Sequence, residues 1–271
     1  MAAIKLGVKH VEKPWGRFDI PPMFSDGTGR RIGEVWFVGP DGVQPPPVLV
    51  KYLFTSEKLS IQVHPDDDSA RARGLPGGKS ECWYVLQAEP GATLGMGTQR
   101  PLDAKTLERE ARDGSLEASM DWKPVQAGDF FYIPAGTVHA IGPGLTLVEV
   151  QQNNDVTYRL YDYGRPRELH LEDGVAVSRA APYPDAERKF ALGGDAVLLP
   201  EGKAPFALAL RSWKAGEAGV MPQVQSWFIP IAGEGTIDGM TWQAGECWLV
   251  EGGAALSCDA SAQALVASIS E

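Results

Sequence analysis

The stretch GDFFYIPAGTVH, residues Gly128–His139, carries the strongest architectural signal in this 271-residue chain. Its first part, Asp129–Ile133, is rich in residues that favour β-strands, and Pro134–Gly136 forms a tight turn shortly before His139. Similar short runs, bounded by glycine and proline, recur along the chain and predict a series of short strands. They cover Arg31–Val38, Val48–Phe54, Lys58–His64, Glu81–Gln87, Thr146–Gln151 and Thr157–Tyr161.

Glycine and proline account for 31 and 21 residues, a density of turn formers that suits short strands better than long helices. One window looks helical, with Asp103 as N-cap and Gly114 as the closing residue. Ser115 is expected to cap a second short helix that runs up to Trp122. The fold class is therefore predicted to be mainly β, with two β-sandwiches or jelly rolls in tandem.

The polar and proline-rich stretch around residues 171–190 predicts a connection between two units. The first unit, residues 1–170, includes the short helical insertion at about 102–122. The second unit, residues 191–271, again shows short strands with turns, including an Asp238-Gly239 hairpin signal. We expect a monomer, because tandem sandwiches already cover each other's sheet faces.

Charge and composition exclude several classes of protein. A formal net charge of −10 argues against nucleic-acid binding and against attraction to anionic membranes. No apolar run reaches the length of a spanning helix or a signal peptide. The three cysteines, an odd number at wide spacing, predict neither a disulfide framework nor a zinc ribbon, so the cytoplasm is the simplest compartment.

Four residues have the chemistry of a metal site. Gln62 and His64 are two positions apart on a predicted strand and share one face. Glu81 begins another strand, and His139 follows the Pro134–Gly136 turn. Two imidazoles, a carboxylate and an amide oxygen suit a borderline divalent ion such as zinc, although nickel, manganese, cobalt and iron are not excluded. Each residue alone is more often structural; their joint spacing carries the prediction.

The quoted stretch resembles the second cupin motif, in which Gly is followed after five residues by Pro, after one more by Gly and after two more by His. Gly128, Pro134, Gly136 and His139 occupy these positions. The first cupin motif is altered, with Gln62-Val63-His64 in place of His-x-His and the glutamate much later. That altered form is similar to the class I mannose-6-phosphate isomerases in their short bacterial form. The similarity is carried by LSIQVHPDD (Leu59–Asp67), GKSECWYVL (Gly78–Leu86), PAGTVHAIGPG (Pro134–Gly144) and VEVQQNNDVTYRLYDYGR (Val148–Arg165).

The resemblance implies tandem cupin domains and a metal-dependent isomerase that interconverts mannose 6-phosphate and fructose 6-phosphate through an enediolate. It implies one Zn²⁺ per chain, held by Gln62, His64, Glu81 and His139. A repeat of the skeleton, GECWLVEGGAAL at Gly245–Leu256, puts a leucine where the last histidine stands. The second unit is therefore expected to be a degenerate cupin without metal.

The resemblance also suggests residues for the substrate. Arg159 matches the family's active-site arginine, Lys79 the lysine before the metal-binding glutamate, and Ser60 a serine associated with phosphate. Arg165 falls where eukaryotic members have a lysine. These residues would supply the local positive charge that an acidic protein needs for a sugar phosphate.

The general base stays open at this stage. Glu149 lies where family members place an acidic residue near the site, either as a base or as the partner of a ligand histidine. Asp155, Asp162 and Lys79 are alternatives. Arg159, Lys79 and Glu149 are the predicted catalytic residues.

Two other functions remain open from the sequence. Cupins also host other phosphosugar isomerases and iron oxygenases, although glutamine in place of the first histidine argues against the usual oxygenase ligand set. A sugar-phosphate-binding protein that has lost turnover would keep the phosphate-binding residues and tolerate loss of the base.

Overall fold

The computed structural model describes residues 3–40 and 45–269, and most of its regular elements are short strands. The strands are β1 (Ala3–Lys5), β2 (Gly7–Arg17), β3 (Ile32–Val38), β4 (Val48–Phe54), β5 (Ile61–Val63), β6 (Glu81–Ala88), β7 (Thr93–Thr98), β8 (Met120–Pro124), β9 (Asp129–Ile133), β10 (His139–Ile141), β11 (Leu145–Gln152), β12 (Tyr158–Tyr161), β13 (Arg188–Phe190), β14 (Ala196–Leu199), β15 (Phe206–Trp213), β16 (Ala218–Val220), β17 (Ser226–Ala232), β18 (Glu234–Ile237), β19 (Met240–Gln243), β20 (Trp248–Val250), β21 (Ala255–Cys258) and β22 (Ala262–Ile269). The α-helices are α1 (Asp67–Arg71), α2 (Ala104–Asp113), α3 (Leu116–Ser119) and α4 (Leu171–Val177), and single 3₁₀ turns cover Pro22–Phe24 and Asp185–Glu187. The predicted mainly β class is confirmed.

The strands form two antiparallel sandwiches. In the N-terminal sandwich, a seven-stranded sheet (β13-β9-β6-β11-β4-β3-β2) faces a five-stranded sheet (β12-β5-β10-β7-β8). In the C-terminal sandwich, a six-stranded sheet (β1-β20-β17-β22-β15-β14) faces a four-stranded sheet (β16-β21-β18-β19). The first strand, β1, pairs with β20 of the C-terminal sandwich, whereas β2 belongs to the N-terminal one.

In the residues that the structure describes, four clusters of buried apolar side chains pack between or against these layers. One lies within each sandwich, and another joins the seven-stranded sheet to the six-stranded sheet through residues such as Tyr52 and Trp227. The fourth packs α2, α3 and α4 on the outer face of the five-stranded sheet. All seven residues of β4 are buried, because both faces of its sheet are covered.

The helical insertion forms close to the predicted window, with one difference. The Asp103 side chain accepts a hydrogen bond from the Thr106 amide at 2.7 Å, and Gly114 ends α2 with φ of 83°. Ser115 makes no capping bond, because its own backbone is already helical. The second helix ends at Ser119, and Trp122 lies in β8, where it pairs with β7. The sequence prediction also omitted α1 and α4.

The two copies of the glycine skeleton adopt the same backbone conformation. Gly128 and Gly136 have φ of 90° and 89°, and Gly245 and Gly253 have 88° and 83°. In each copy the chain leaves one sheet of its sandwich (β9, β20) and enters the other (β10, β21). Only glycine adopts such angles without strain, which explains the shared spacing. The predicted Asp238-Gly239 turn also forms, between β18 and β19.

Candidate metal centre

Three buried side chains meet between the two sheets of the N-terminal sandwich. His64 follows β5, Glu81 begins β6, and His139 begins β10. The Nε2 atoms of His64 and His139 each lie 3.4 Å from a different carboxylate oxygen of Glu81. The three donor atoms lie within 4.8 Å of one another, and each side chain is at most 1% exposed.

Backbone carbonyls fix the orientation of both imidazoles. Nδ1 of His64 donates to the Val156 carbonyl at 2.8 Å, and Nδ1 of His139 donates to the Thr137 carbonyl at 2.8 Å. A carbonyl oxygen can only accept, so each Nδ1 carries the hydrogen and each neutral ring presents a lone pair at Nε2. Both lone pairs therefore face the carboxylate, as a metal ligand set requires.

The protonation states agree with this geometry. Burial, reinforced by the charge of Lys79, lowers the pKa of His64, and burial lowers the pKa of His139 to about 4. Burial opposes ionisation of Glu81, but the positive charge of Lys79 outweighs it and holds the pKa of that carboxyl well below the ordinary value. At neutral pH the centre thus holds two neutral imidazoles and one carboxylate.

The sequence-predicted amide lies beside this triad. Gln62 stands opposite His139 in the β5–β10 pair, and its Nε2 donates to His139 Nε2 at 3.3 Å. The Ser60 hydroxyl contacts Gln62 Oε1 at 3.1 Å. Turning the amide over exchanges its nitrogen and oxygen without changing its shape, and Oε1 then joins the other three donors.

This set of groups fits a divalent cation. Oε1 of Glu81 is buried and accepts no hydrogen bond within the described part of the chain, although a buried carboxylate oxygen without a partner is costly. Each imidazole lone pair lies 3.4 Å from a carboxylate oxygen with no hydrogen of its own between them, an arrangement that a cation stabilises. Imidazole, carboxylate and amide donors are typical of a catalytic zinc site, which keeps room for a further ligand.

The triad adjoins a polar cavity of about 190 Å³ at the mouth of the N-terminal sandwich. Five cationic side chains line it against three carboxylates, a local excess of positive charge in a protein of net charge −10. The cations are Lys13, Lys51, Lys79, Arg159 and Arg167, and the carboxylates are Glu34, Glu149 and Asp155. Such a cavity suits a small, polar, anionic ligand.

The structure brings most of the predicted substrate residues to this cavity. Ser60, Lys79, Glu149 and Arg159 line it. Lys79 Nζ lies 2.8 Å from Glu81 and 3.2 Å from His64 Nε2. Burial disfavours the charged ammonium, but Glu81 and Glu149 outweigh burial and raise the pKa of Lys79. Lys79 is therefore a cation at neutral pH.

Glu149 does not touch a ligand histidine. Its Oε1 lies 3.1 Å from Lys51 Nζ, and its Oε2 accepts a hydrogen bond from the Trp83 indole at 3.0 Å. The Trp83 ring packs edge-on against His139, with ring centroids 5.4 Å apart. Glu149 thus reaches the metal centre through one intervening side chain.

Arg165 is not among the residues that line the cavity. Its guanidinium donates to Asp162 and to the Lys58 carbonyl and lies over the Tyr163 ring. Other lining residues were not predicted to belong to the site: Lys13, Lys51, Glu34, Arg167 and His170. Arg167 and His170 follow Arg159 closely in a stretch already quoted in part, so the clustering of basic residues there is a signal that could have identified them.

The curated proteins that resemble this chain in sequence all have names that include mannose-6-phosphate isomerase. No protein-family model matches the chain. The probable mannose-6-phosphate isomerase GmuF of Bacillus subtilis is 32% identical over 227 residues, covering 78% of this chain and 71% of that protein. The mannose-6-phosphate isomerase of Streptococcus mutans is 44% identical over 143 residues, and the match spans 43% of its length. The chain spans about half the length or less of this relative and of two further Bacillus subtilis relatives.

Solved structures share the whole architecture. The mannose 6-phosphate isomerase of Bacillus subtilis superposes with a TM-score of 0.74 at 25% identity, covering 99% of this chain and all of that chain. A zinc-bound mannose 6-phosphate isomerase gives the same TM-score at 15% identity, a likeness of fold. In the described residues, no helix is both long and apolar enough to cross a membrane.

Proposed function

The chain belongs to the mannose-6-phosphate isomerase family, and from that premise we propose that it interconverts mannose 6-phosphate and fructose 6-phosphate. The observation that carries the proposal is the convergence of His64, Glu81 and His139 beside a cationic cavity in an acidic protein. A metal-binding cluster without neighbouring cations would suit many of the reactions that cupin proteins catalyse. The cations that line the cavity favour an anionic ligand, and the small volume of the cavity favours a compact one.

We propose one zinc ion per chain, held by Gln62, His64, Glu81 and His139. A zinc-bound relative with this fold and the donor set described above support that choice. When bound, zinc would act as a Lewis acid toward sugar oxygens that gain negative charge during the reaction. Lys79, a buried cation at the same centre, adds a fixed positive charge there without needing to move.

Isomerisation transfers a proton between carbon 2 and carbon 1 of the sugar, so a base must take it from one carbon and return it to the other. We assign this role to a carboxylate oxygen of Glu149. Three features support it: the side chain is 4% exposed, it lines the cavity, and Lys51 and Trp83 hold both oxygens in place. Arg159, on the strand beside Gln62, is assigned to the substrate.

We also propose a cytoplasmic monomer. The three cysteines, Cys82, Cys247 and Cys258, are free and buried, which supports a compartment that keeps thiols reduced. The core between the seven- and six-stranded sheets covers the broad faces through which sandwiches often associate, which supports a monomer.

The test is turnover of mannose 6-phosphate by protein stripped with a chelator and reloaded with single metals. We expect activity to disappear on stripping and to return with zinc, and unphosphorylated mannose to be a far poorer substrate. Protein that binds one zinc per chain but converts no mannose 6-phosphate contradicts the proposal. If such protein still binds the sugar phosphate, it is a binding protein; oxygen consumption after iron loading would identify an oxygenase.

A further inference from the structure

Two neighbouring arginines share one buried carboxylate but occupy different environments. Asp162, 2% exposed, accepts hydrogen bonds from Arg165 Nη1 at 3.1 Å and from Arg167 Nε and Nη2 at 2.6 Å each. Arg165 is further engaged by the Lys58 carbonyl and by Glu57, at 3.7 Å. Arg167 lines the cavity, and its Nη1 forms no hydrogen bond within residues 3–40 and 45–269. The carboxylate thus fixes the Arg167 guanidinium and leaves one nitrogen for a ligand.

His170 completes the same wall of the cavity. Its backbone amide donates to the Arg159 carbonyl at 2.8 Å, and its Nδ1 accepts from the Arg159 amide at 3.3 Å. Because Nδ1 accepts a hydrogen bond, the neutral ring carries its hydrogen on Nε2. The side chain is 28% exposed and lines the cavity, and Nε2 lies 4.0 Å from the exposed Glu168 carboxylate, beyond hydrogen-bond distance. This N–H is therefore a donor for a ligand even when the ring is uncharged.

Arg159 brings a third group of donors. Its Nη1 donates to the Glu168 carbonyl at 3.3 Å, and the rest of the guanidinium has no hydrogen-bond partner in the described part of the chain. The paired backbone of Arg159 and His170 holds the loop that carries Arg167 against β12. Two guanidinium groups and one imidazole N–H, carried by β12 and the loop paired to it, therefore line the same cavity.

We propose that Arg159, Arg167 and the Nε2–H of His170 form the subsite for a phosphate monoester dianion, with Asp162 as the positioning residue for Arg167. This inference rests on the proposed function and deepens it, since it names the end of the cavity that takes the phosphate of the sugar. A guanidinium held in a fixed orientation recognises phosphate oxygens with directional, charge-assisted hydrogen bonds. Arg165, whose donors are engaged elsewhere, stabilises the loop.

The test compares arginine variants by steady-state kinetics with mannose 6-phosphate and by competitive inhibition with inorganic phosphate. For Arg167→Gln we expect KM and the phosphate inhibition constant to rise together by about tenfold or more, with a smaller change in kcat. Arg73→Gln removes the same charge from an exposed helix-end pair with Asp173 and serves as the electrostatic control. Thermal melting of each variant verifies that it is folded.

A second comparison uses two amide substitutions of His170. The shorter amide in His170→Asn keeps an acceptor for the Arg159 amide but lacks a donor at the Nε2 position, whereas the longer amide in His170→Gln extends an N–H towards that position. We expect His170→Asn to weaken phosphate inhibition more than His170→Gln does. The reverse order, or equal effects, contradicts the assignment of the Nε2–H.

The outcomes separate the two proposals. If the protein turns over mannose 6-phosphate and Arg165→Gln raises KM while Arg167→Gln does not, the subsite is wrong and the isomerase assignment stands. If the protein shows no turnover but phosphate binds to it, and Arg167→Gln abolishes that binding, the isomerase assignment is wrong and the subsite stands. Isothermal titration of inorganic phosphate measures the subsite without any need for activity.

Discussion

Lys51 and Glu149 stand directly opposite each other on β4 and β11 and form an ion pair of 3.1 Å in the wall of the cavity. Their side chains are 3% and 6% exposed. The ammonium of Lys51 also lies 4.6 Å from the centre of the Trp36 ring, and Glu149 holds the Trp83 indole that packs against His139. The pair therefore links the lining of the cavity to the metal centre through the Trp83 ring.

Replacing Lys51 with methionine should destabilise the protein. The substitution keeps the length of the side chain but leaves Glu149 buried without its cation, and breaking a buried pair in this way costs about 3–5 kcal/mol. We expect the free energy of unfolding, measured in urea, to fall by that order. Isomerase activity should fall as well, because Glu149 loses one of the two contacts that hold it.

The double variant Lys51→Met, Glu149→Gln provides the control. It removes both charges and keeps an acceptor for the Trp83 indole, so its loss of stability should be clearly smaller than the sum of the two single losses. Additive losses would contradict a direct pairing of the two charges.

A second carboxylate gives a prediction for the dependence of stability on pH. Burial disfavours ionisation of Glu34, but Lys51 and Lys13 outweigh burial and lower its pKa below the ordinary value. A lowered folded-state pKa contributes stability above the unfolded value of about 4.5, and this contribution disappears as the pH falls through the folded value. The stability difference between wild type and Glu34→Gln should therefore be constant near neutrality and shrink below pH of about 4.5. A difference that is flat down to pH 3 contradicts the prediction.

Local pattern was sufficient to predict several of the strands and to single out His64, Glu81 and His139, which the structure brings together. The period of two on β5 places Gln62 and the following His64 on one side, and the glycine turn fixes where His139 enters β10. The two bounds of β9 and of β4 agree with the predicted ones, since each run is apolar and ends at turn residues. Strand periodicity and turn residues depend on neighbouring positions in the chain, so they can be read from the sequence alone.

Features that depend on contacts between distant segments were not visible in the sequence. Lys51 occurs in an apolar run, and nothing local shows that it faces Glu149, 98 positions later. The backbone partner of Arg159 is His170, which lies 11 positions later, across a polar loop for which the sequence predicted no contact with the site. Such contacts depend on which strands and loops become neighbours in the fold, and a single sequence contains no periodic signal for that pairing.

Gly97 offers a test of a tight backbone contact beside the centre. Its φ is 68°, and a methyl group there would lie 2.4 Å from the Ala181 carbonyl oxygen. Gly97→Ala therefore combines the strain of a left-handed conformation, of order 1–3 kcal/mol, with a clash against backbone. Gly27, with φ of 70° and no atom within 4 Å of the added carbon, supplies the strain alone. We expect Gly97→Ala to lower the melting temperature clearly more than Gly27→Ala does; equal shifts would contradict the contact.

Metal binding should be visible as stability as well as activity. A ligand that binds only the folded state stabilises it by RT ln(1 + [L]/Kd), about 2.7 kcal/mol at a hundredfold excess over Kd. Zinc added to stripped wild-type protein should therefore raise the melting temperature, and a chelator should reverse the rise. His139→Ala removes one imidazole ligand and should abolish both the shift and the single equivalent of zinc found by elemental analysis. His10→Ala removes a histidine that lies outside the cluster and contacts the Phe24 carbonyl, so it should keep both. One tightly held zinc in the His139→Ala protein would mean that the ion sits elsewhere, and the proposed ligand set would then be wrong.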